Sequence, residues 1–137
     1  MSCRFAIFAA VIFSVTALAD DQADRLRLSG KWQAESDIWS LDNKGDAIHL
    51  THSNGSQTIE EFECNTLGSE CAVKDSGKGA KVSLWYSGPK LVVLETKGSE
   101  VVKRRFSAPQ SDMLDLEVIR VVPEGKTEML HLKRVQK

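Results

Sequence analysis

From Gly30 onward the chain is built of short stretches in which apolar and polar residues alternate, separated by turn-forming clusters. In Met113–Val122, Leu114, Leu116, Val118, Arg120 and Val122 fall on one side of an extended backbone, while Asp115, Glu117, Ile119 and Val121 fall on the other. A period of two with no sustained helical period predicts half-buried strands. The expected strands are Gly30–Glu35, Ile38–Leu41, Ala47–His52, Gln57–Cys64, Lys81–Tyr86, Leu91–Thr96, Val101–Phe106, Met113–Val122 and Thr127–Val135, with a cysteine hairpin after the fourth. Between them lie Asp42–Asp46, Ser53–Ser56, Ser87–Lys90, Lys97–Glu100, Ser107–Asp112 and Pro123–Lys126, rich in Gly, Pro, Asn, Asp and Ser. Asn54-Gly55 predicts a type I′ hairpin turn. The pattern predicts an all-β fold, an antiparallel up-and-down meander that forms a small barrel of about 8–10 short strands.

Leu28-Ser29-Gly30-Lys31-Trp32 opens this region. Gly30 allows a tight bend and Trp32 either closes one end of the barrel or is an ordinary core aromatic. Ahead of it, residues 20–27 carry five charges and are expected to form a flexible charged arm or a single helical turn. Residues 1–19 have the build of a secretory leader: Arg4 in a positive start, an apolar run from Phe5 to Val15, and Ala17-Leu18-Ala19 as a small-residue cleavage site. The apolar run falls well short of the roughly 20 residues of a membrane-spanning helix, so no membrane anchor is expected after cleavage. The remaining chain, 28–137, is one domain's worth, and a periplasmic or secreted location follows.

Composition narrows the partners. The formal charge is −1 for the whole chain, and loss of Arg4 with the leader leaves 17 basic against 19 acidic residues. That near-balance, with the signs interspersed, leaves no footprint for nucleic acid. Cys3 departs with the leader, and Cys64 and Cys71 remain as an even pair that reads as a structural disulfide in an exported chain.

Catalytic signatures are missing from the sequence: there is no nucleophile elbow, no phosphate-cradling Gly-rich loop and no cofactor motif. His49 and His52 are an odd number of residues apart on one expected strand, so their side chains face opposite ways and do not share a metal. The chain therefore reads as a non-enzyme without metal or cofactor. Two arginines stand out. Arg120 shares the apolar side of its strand, and Arg104 falls with Val102 and Phe106. Two guanidinium groups directed into one barrel would form a bidentate site for an acidic head group, with Phe62, Trp85 and Phe106 as walls for an apolar tail. The alternative is that both lie near strand ends and reach solvent, or that one covers Trp32.

Leu28–Trp32, the uninterrupted meander and the closing Leu132-Lys133-Arg134-Val135 together resemble the lipocalin-like, calycin-type domains of small exported bacterial proteins. The likeness spans Leu28 to about Val135. It implies that the tryptophan at 32 packs under a late basic residue, Arg134 first and Arg120 second, so that Gly30, Trp32 and Arg134 form the barrel closure. It also implies a small amphipathic or lipidic ligand in the barrel. The second lipocalin motif, Thr-Asp-Tyr, is absent. Small periplasmic protease inhibitors resemble the chain as well, being disulfide-stapled barrels with a Gly-x-Trp start, and they imply that residues 20–28 serve as an arm inserted into an exported protease. A small exported enzyme is the third reading.

Overall fold

The computed structural model describes residues 21–74 and 79–135. The expected leader, 1–19, lies outside them. Residues 21–26 form a short helix, and ten antiparallel strands follow. These are β1 (Gly30–Ala34), β2 (Asp37–Asn43), β3 (Ala47–Asn54), β4 (Gln57–Asn65), β5 (Leu67–Ala72), β6 (Lys81–Ser87), β7 (Lys90–Lys97), β8 (Glu100–Gln110), β9 (Met113–Val122) and β10 (Glu128–Arg134). The sheet order is β4-β3-β2-β1-β10-β9-β8-β7-β6-β5, so every chain neighbour except β4 and β5 is a ladder neighbour, and β1 pairs with β10. This is the all-β, up-and-down barrel that the alternation predicts.

Two local expectations are corrected. The strand expected to stop at Phe106 continues to Gln110, because a register shift between Ser107 and Gln110 lets β8 carry Pro109 without breaking. The turn between β3 and β4 is not type I′. Asn54 remains in the strand, and only Gly55 takes a positive φ, at 62°. The Asn54 side chain is used elsewhere, donating from Nδ2 to Ser36 Oγ (3.1 Å) and Asp37 Oδ1 (2.7 Å), which ties the β1–β2 and β3–β4 turns together.

Alternating burial along most strands puts one face inside, with β7 an exception in burying Leu91, Val92 and Val93 in succession. Trp32, Leu50, Phe62, Leu84, Leu91, Val93, Phe106, Leu114, Leu116 and Leu132 are all 0 % exposed. A water-sized void beside any of them would register as surface, so this part of the barrel is filled by its own side chains.

The base of the barrel holds the helix and the turns after β2, β4, β6 and β8; the opposite end, here called the mouth, holds the other turns. At the base the Arg134 guanidinium sits 4.1 Å above the Trp32 ring and donates to the carbonyls of Ser111 (2.6 Å), Ser29 (3.0 Å) and Arg27 (3.0 Å). Trp32 Nε1 donates to the Leu28 carbonyl at 2.9 Å. Arg134, and not Arg120, is thus the cation over Trp32. Gly30 is required here: its φ is 135°, and a Cβ at that position would collide with Arg134 Nη1. The helix is tied to the base by Arg25, which donates to the Gly88 carbonyl at 2.8 Å and lies over Tyr86 at 4.6 Å, and by Arg27, which donates to the Ala108 carbonyl at 3.0 Å. Of residues 20–27, those from 21 to 26 are helical.

The barrel closes at the β4–β5 seam without a ladder. Cys64 and Cys71 form a disulfide across it with a Cα–Cα distance of 5.7 Å, and the Lys74 amide donates to the Glu61 carbonyl at 2.9 Å.

Candidate functional site: a charged cluster at the barrel mouth

Above the apolar filling, the inward positions change character. Alternation along β8 that buries Phe106 also turns Arg104 inward, where it is 6 % exposed. In β4 the residue two before Phe62 is Glu60; in β7 the residue two after Val93 is Glu95; in β3 the residue two after Leu50 is His52. The same period that builds the core therefore delivers four polar side chains to one level of the barrel.

Arg104 Nη2 donates to Glu60 Oε1 at 2.8 Å and lies 3.6 Å from Glu95 Oε1. Both carboxylates thus approach one guanidinium nitrogen and act on each other. Burial and the neighbouring Glu60 carboxyl push the Glu95 carboxyl up to about 7, with Arg104 opposing. Burial also pushes Glu60 up, but the neighbouring Glu95 and the Arg104 guanidinium prevail and hold it below the ordinary glutamate range. The two carboxyls titrate as a pair.

His52 stacks flat on Trp39, with ring centroids 3.6 Å apart and planes 10° apart. Burial pulls its pKa below the ordinary value, partly offset by Asp37, whose carboxylate stands 3.7 Å from His52 Nε2. That distance is too long for a hydrogen bond. Trp39 also meets Phe106 edge-on at 5.8 Å and carries Arg104 at 5.6 Å from its ring. It forms the floor between the charged level and the apolar filling. Two buried nitrogens here, His52 Nε2 and Arg104 Nε, have no hydrogen-bond partner among the described residues. Such orphans cost free energy, about 1–3 kcal/mol each, and are rare in folded chains.

The wall beside this floor is split. β1 meets β10 only at Trp32↔Arg134 and Gln33↔Lys133, after which β1 turns away at Glu35, a non-glycine residue at φ 57°. β10 extends beyond that point to Glu128. A cleft of about 590 Å³ opens between them, with Ala34, Asp37 and Trp39 on one side and Met129, Leu130 and Lys133 on the other. Partly exposed Ala34 and Leu130 border the cleft beside the edge of the buried Trp39, together with polar Gln33, Glu35 and His131.

The residues singled out in the sequence separate into three groups. Arg104 is inside the mouth, but it faces Glu60 and Glu95 and not a second arginine. Arg120 does not join it: it shares the inward side, opposite Val102, yet lies at the exposed rim with its side chain against Gly125. The paired-guanidinium site is thereby corrected, because β9 has already emerged from the barrel at Arg120. Phe62 and Phe106 are sealed in the filling, and Trp85 faces outward, in register with Leu67 and Val92. None of the three lines an open ligand cup, since alternation places the first two below the Trp39 floor and the third on the outer face. His49 faces outward to Glu61 at 2.7 Å, on the side of β3 away from His52.

Glu60 and Glu95 are not among the residues the sequence points to, and His52 figures there only beside His49. Their signal was present as polar residues at core parity, each two positions from a large apolar residue, but their convergence depends on the ring closure that brings β3, β4, β7 and β8 together.

No protein-family model matches the chain, and no curated protein matches it. Among solved structures, the chain superposes on the crystal structure of secretory abundant heat soluble protein 4 from Ramazzottius varieornatus with a TM-score of 0.66. The two share 14 % sequence identity over 80 % of this chain and 96 % of that one, a likeness that establishes a common barrel fold.

Proposed function

We propose that this chain is an exported, non-enzymatic binding protein that holds a small amphipathic ligand at the mouth of its barrel. One observation carries the reading: a buried, incompletely satisfied polar cluster packs on Trp39, and the same Trp39 borders a cleft that opens between β1 and β10. Specific polar groups beside an apolar wall are the usual composition of a small-molecule site. The head group is placed against Arg104 and the orphaned nitrogens, and the tail against Trp39, Ala34 and Leu130. Arg120 at the rim adds positive charge on the approach. Export is supported by the disulfide together with the leader-like N-terminal sequence.

Native mass spectrometry of the protein purified from its own host tests this. A co-purifying amphipath that leaves on replacement of Trp39 by alanine is the expected result. A chain that arrives bare and also binds no added alkyl sulfate or alkyl carboxylate overturns it.

A further inference from the structure

We infer that Glu95 sets the head-group preference of the mouth, so that the site takes anionic amphipaths when this carboxyl is neutral and turns from them to cationic ones when it is ionised. The inference rests on the ligand site proposed above and names its selectivity.

The register partners of Glu95 on the two flanking strands are Val82 of β6 and Val102 of β8, both apolar. The charged groups that act on it are Glu60 from β4, Arg104 from β8 and Lys97, two residues further along its own strand. His52 and, through it, Asp37 act on Arg104 and Glu60 rather than on Glu95. With Glu95 neutral, the single positive charge of Arg104 faces the single negative charge of Glu60. Ionising Glu95 adds a second negative charge to a largely dehydrated level, with its side chain 17 % exposed. In such a setting charges act strongly on one another.

An incoming anion must share Arg104 with these carboxylates. It is accepted when the cluster is balanced and repelled when the cluster carries a net negative charge; a cation experiences the reverse. By linkage, anion binding takes up a proton at Glu95, and cation binding releases one. Burial shifts the His52 titration downward, away from neutrality. Around neutrality the mouth therefore changes its preferred ligand charge.

Dodecyl sulfate and dodecyltrimethylammonium, whose head groups keep their charge throughout, are the probes, titrated calorimetrically below micelle formation at pH 6.0 and pH 8.5. The sulfate is expected to bind about tenfold more tightly at the lower pH and the ammonium about tenfold more tightly at the higher. Glu95→Gln, a neutral isostere, is expected to abolish both dependences and fix the sulfate affinity at its low-pH value. The opposed slopes of the two probes on the unmodified protein need no variant, so misfolding of Glu95→Gln does not remove the test. Equal affinity at both pH values, or a slope that survives in a folded Glu95→Gln variant, overturns the inference while leaving the ligand site standing. Binding of neither probe at either pH overturns the ligand site itself.

Discussion

Replacing Gly30 by alanine should unlock the base of the barrel, and the size of the effect follows from what Arg134 does there. The new Cβ would occupy the position of Arg134 Nη1, and φ at residue 30 is 135°, which an alanine adopts only with strain. Displacing the guanidinium removes its contact with the Trp32 ring at 4.1 Å and three bonds to the carbonyls of Ser111, Ser29 and Arg27. The ring contact contributes about 1 kcal/mol and the three bonds together about 2 kcal/mol, reduced by the partial exposure of the site, which lets water take over some carbonyls. Backbone strain adds about 1 kcal/mol. Gly30→Ala is thus expected to cost roughly 3–4 kcal/mol, lowering Tm by about 12–15 °C for a domain of this size. Arg134→Met should cost about 3 kcal/mol through the same contacts. The discriminating assay is a double-mutant cycle by thermal and urea unfolding. Because both substitutions remove one interaction, the double variant should be only slightly less stable than either single one. Strict additivity, or a Tm within about 2 °C of the parent for Gly30→Ala, would refute the lock.

Two further outcomes follow from the same structure. Cys64→Ser/Cys71→Ser should lose about 2.5 kcal/mol on the chain-entropy model, and because the β4–β5 seam has no ladder, amide exchange should rise first in β4 and β5; uniform loosening of all ten strands would count against a seam held by the disulfide. The Glu95 carboxyl is raised from 4.5 to about 7 in the folded chain, so its contribution to stability falls as pH rises from about 4.5 and is fully lost above about 7. Glu95→Gln should therefore raise Tm at pH 8 while leaving it little changed at pH 5, and an equal shift at both would exclude the buried carboxyl as the cause.

How much was legible in the sequence differs from feature to feature. Alternation in Met113–Val122 and its sister stretches is local, and it was enough for strand number, direction and the inward side, including the inward placement of Arg104. The disulfide was legible from the even pair, Cys64 and Cys71, that remains once Cys3 is assigned to the leader-like start. Parity tells which side a residue faces but not its height. Phe62 and Arg104 share the inner surface, yet one is sealed below Trp39 and the other stands above it. Arg120 shares it too, yet lies where β9 has left the barrel. Height depends on register, which shifts within the β8–β9 hairpin between Val101 and Val102 and is set between the first and last strands by pairs such as Trp32↔Arg134. The pairing of Arg104 with Glu60 spans 44 residues, and no local pattern contains it. Likewise the cleft opens where β1 leaves the β10 ladder after Gln33, an end of pairing that no local pattern in the sequence marks.

Titration of the ¹⁵N-labelled protein with dodecyl sulfate at pH 6.0, followed by amide and tryptophan indole shifts, addresses the location of the site most directly. Saturable shifts should concentrate at Ala34, Trp39, His52, Glu60, Glu95, Arg104 and Leu130, leaving Trp32 and the base silent. Shifts centred on the outer face around Trp85, or spread evenly without saturation, would mean that the mouth is not where this barrel binds.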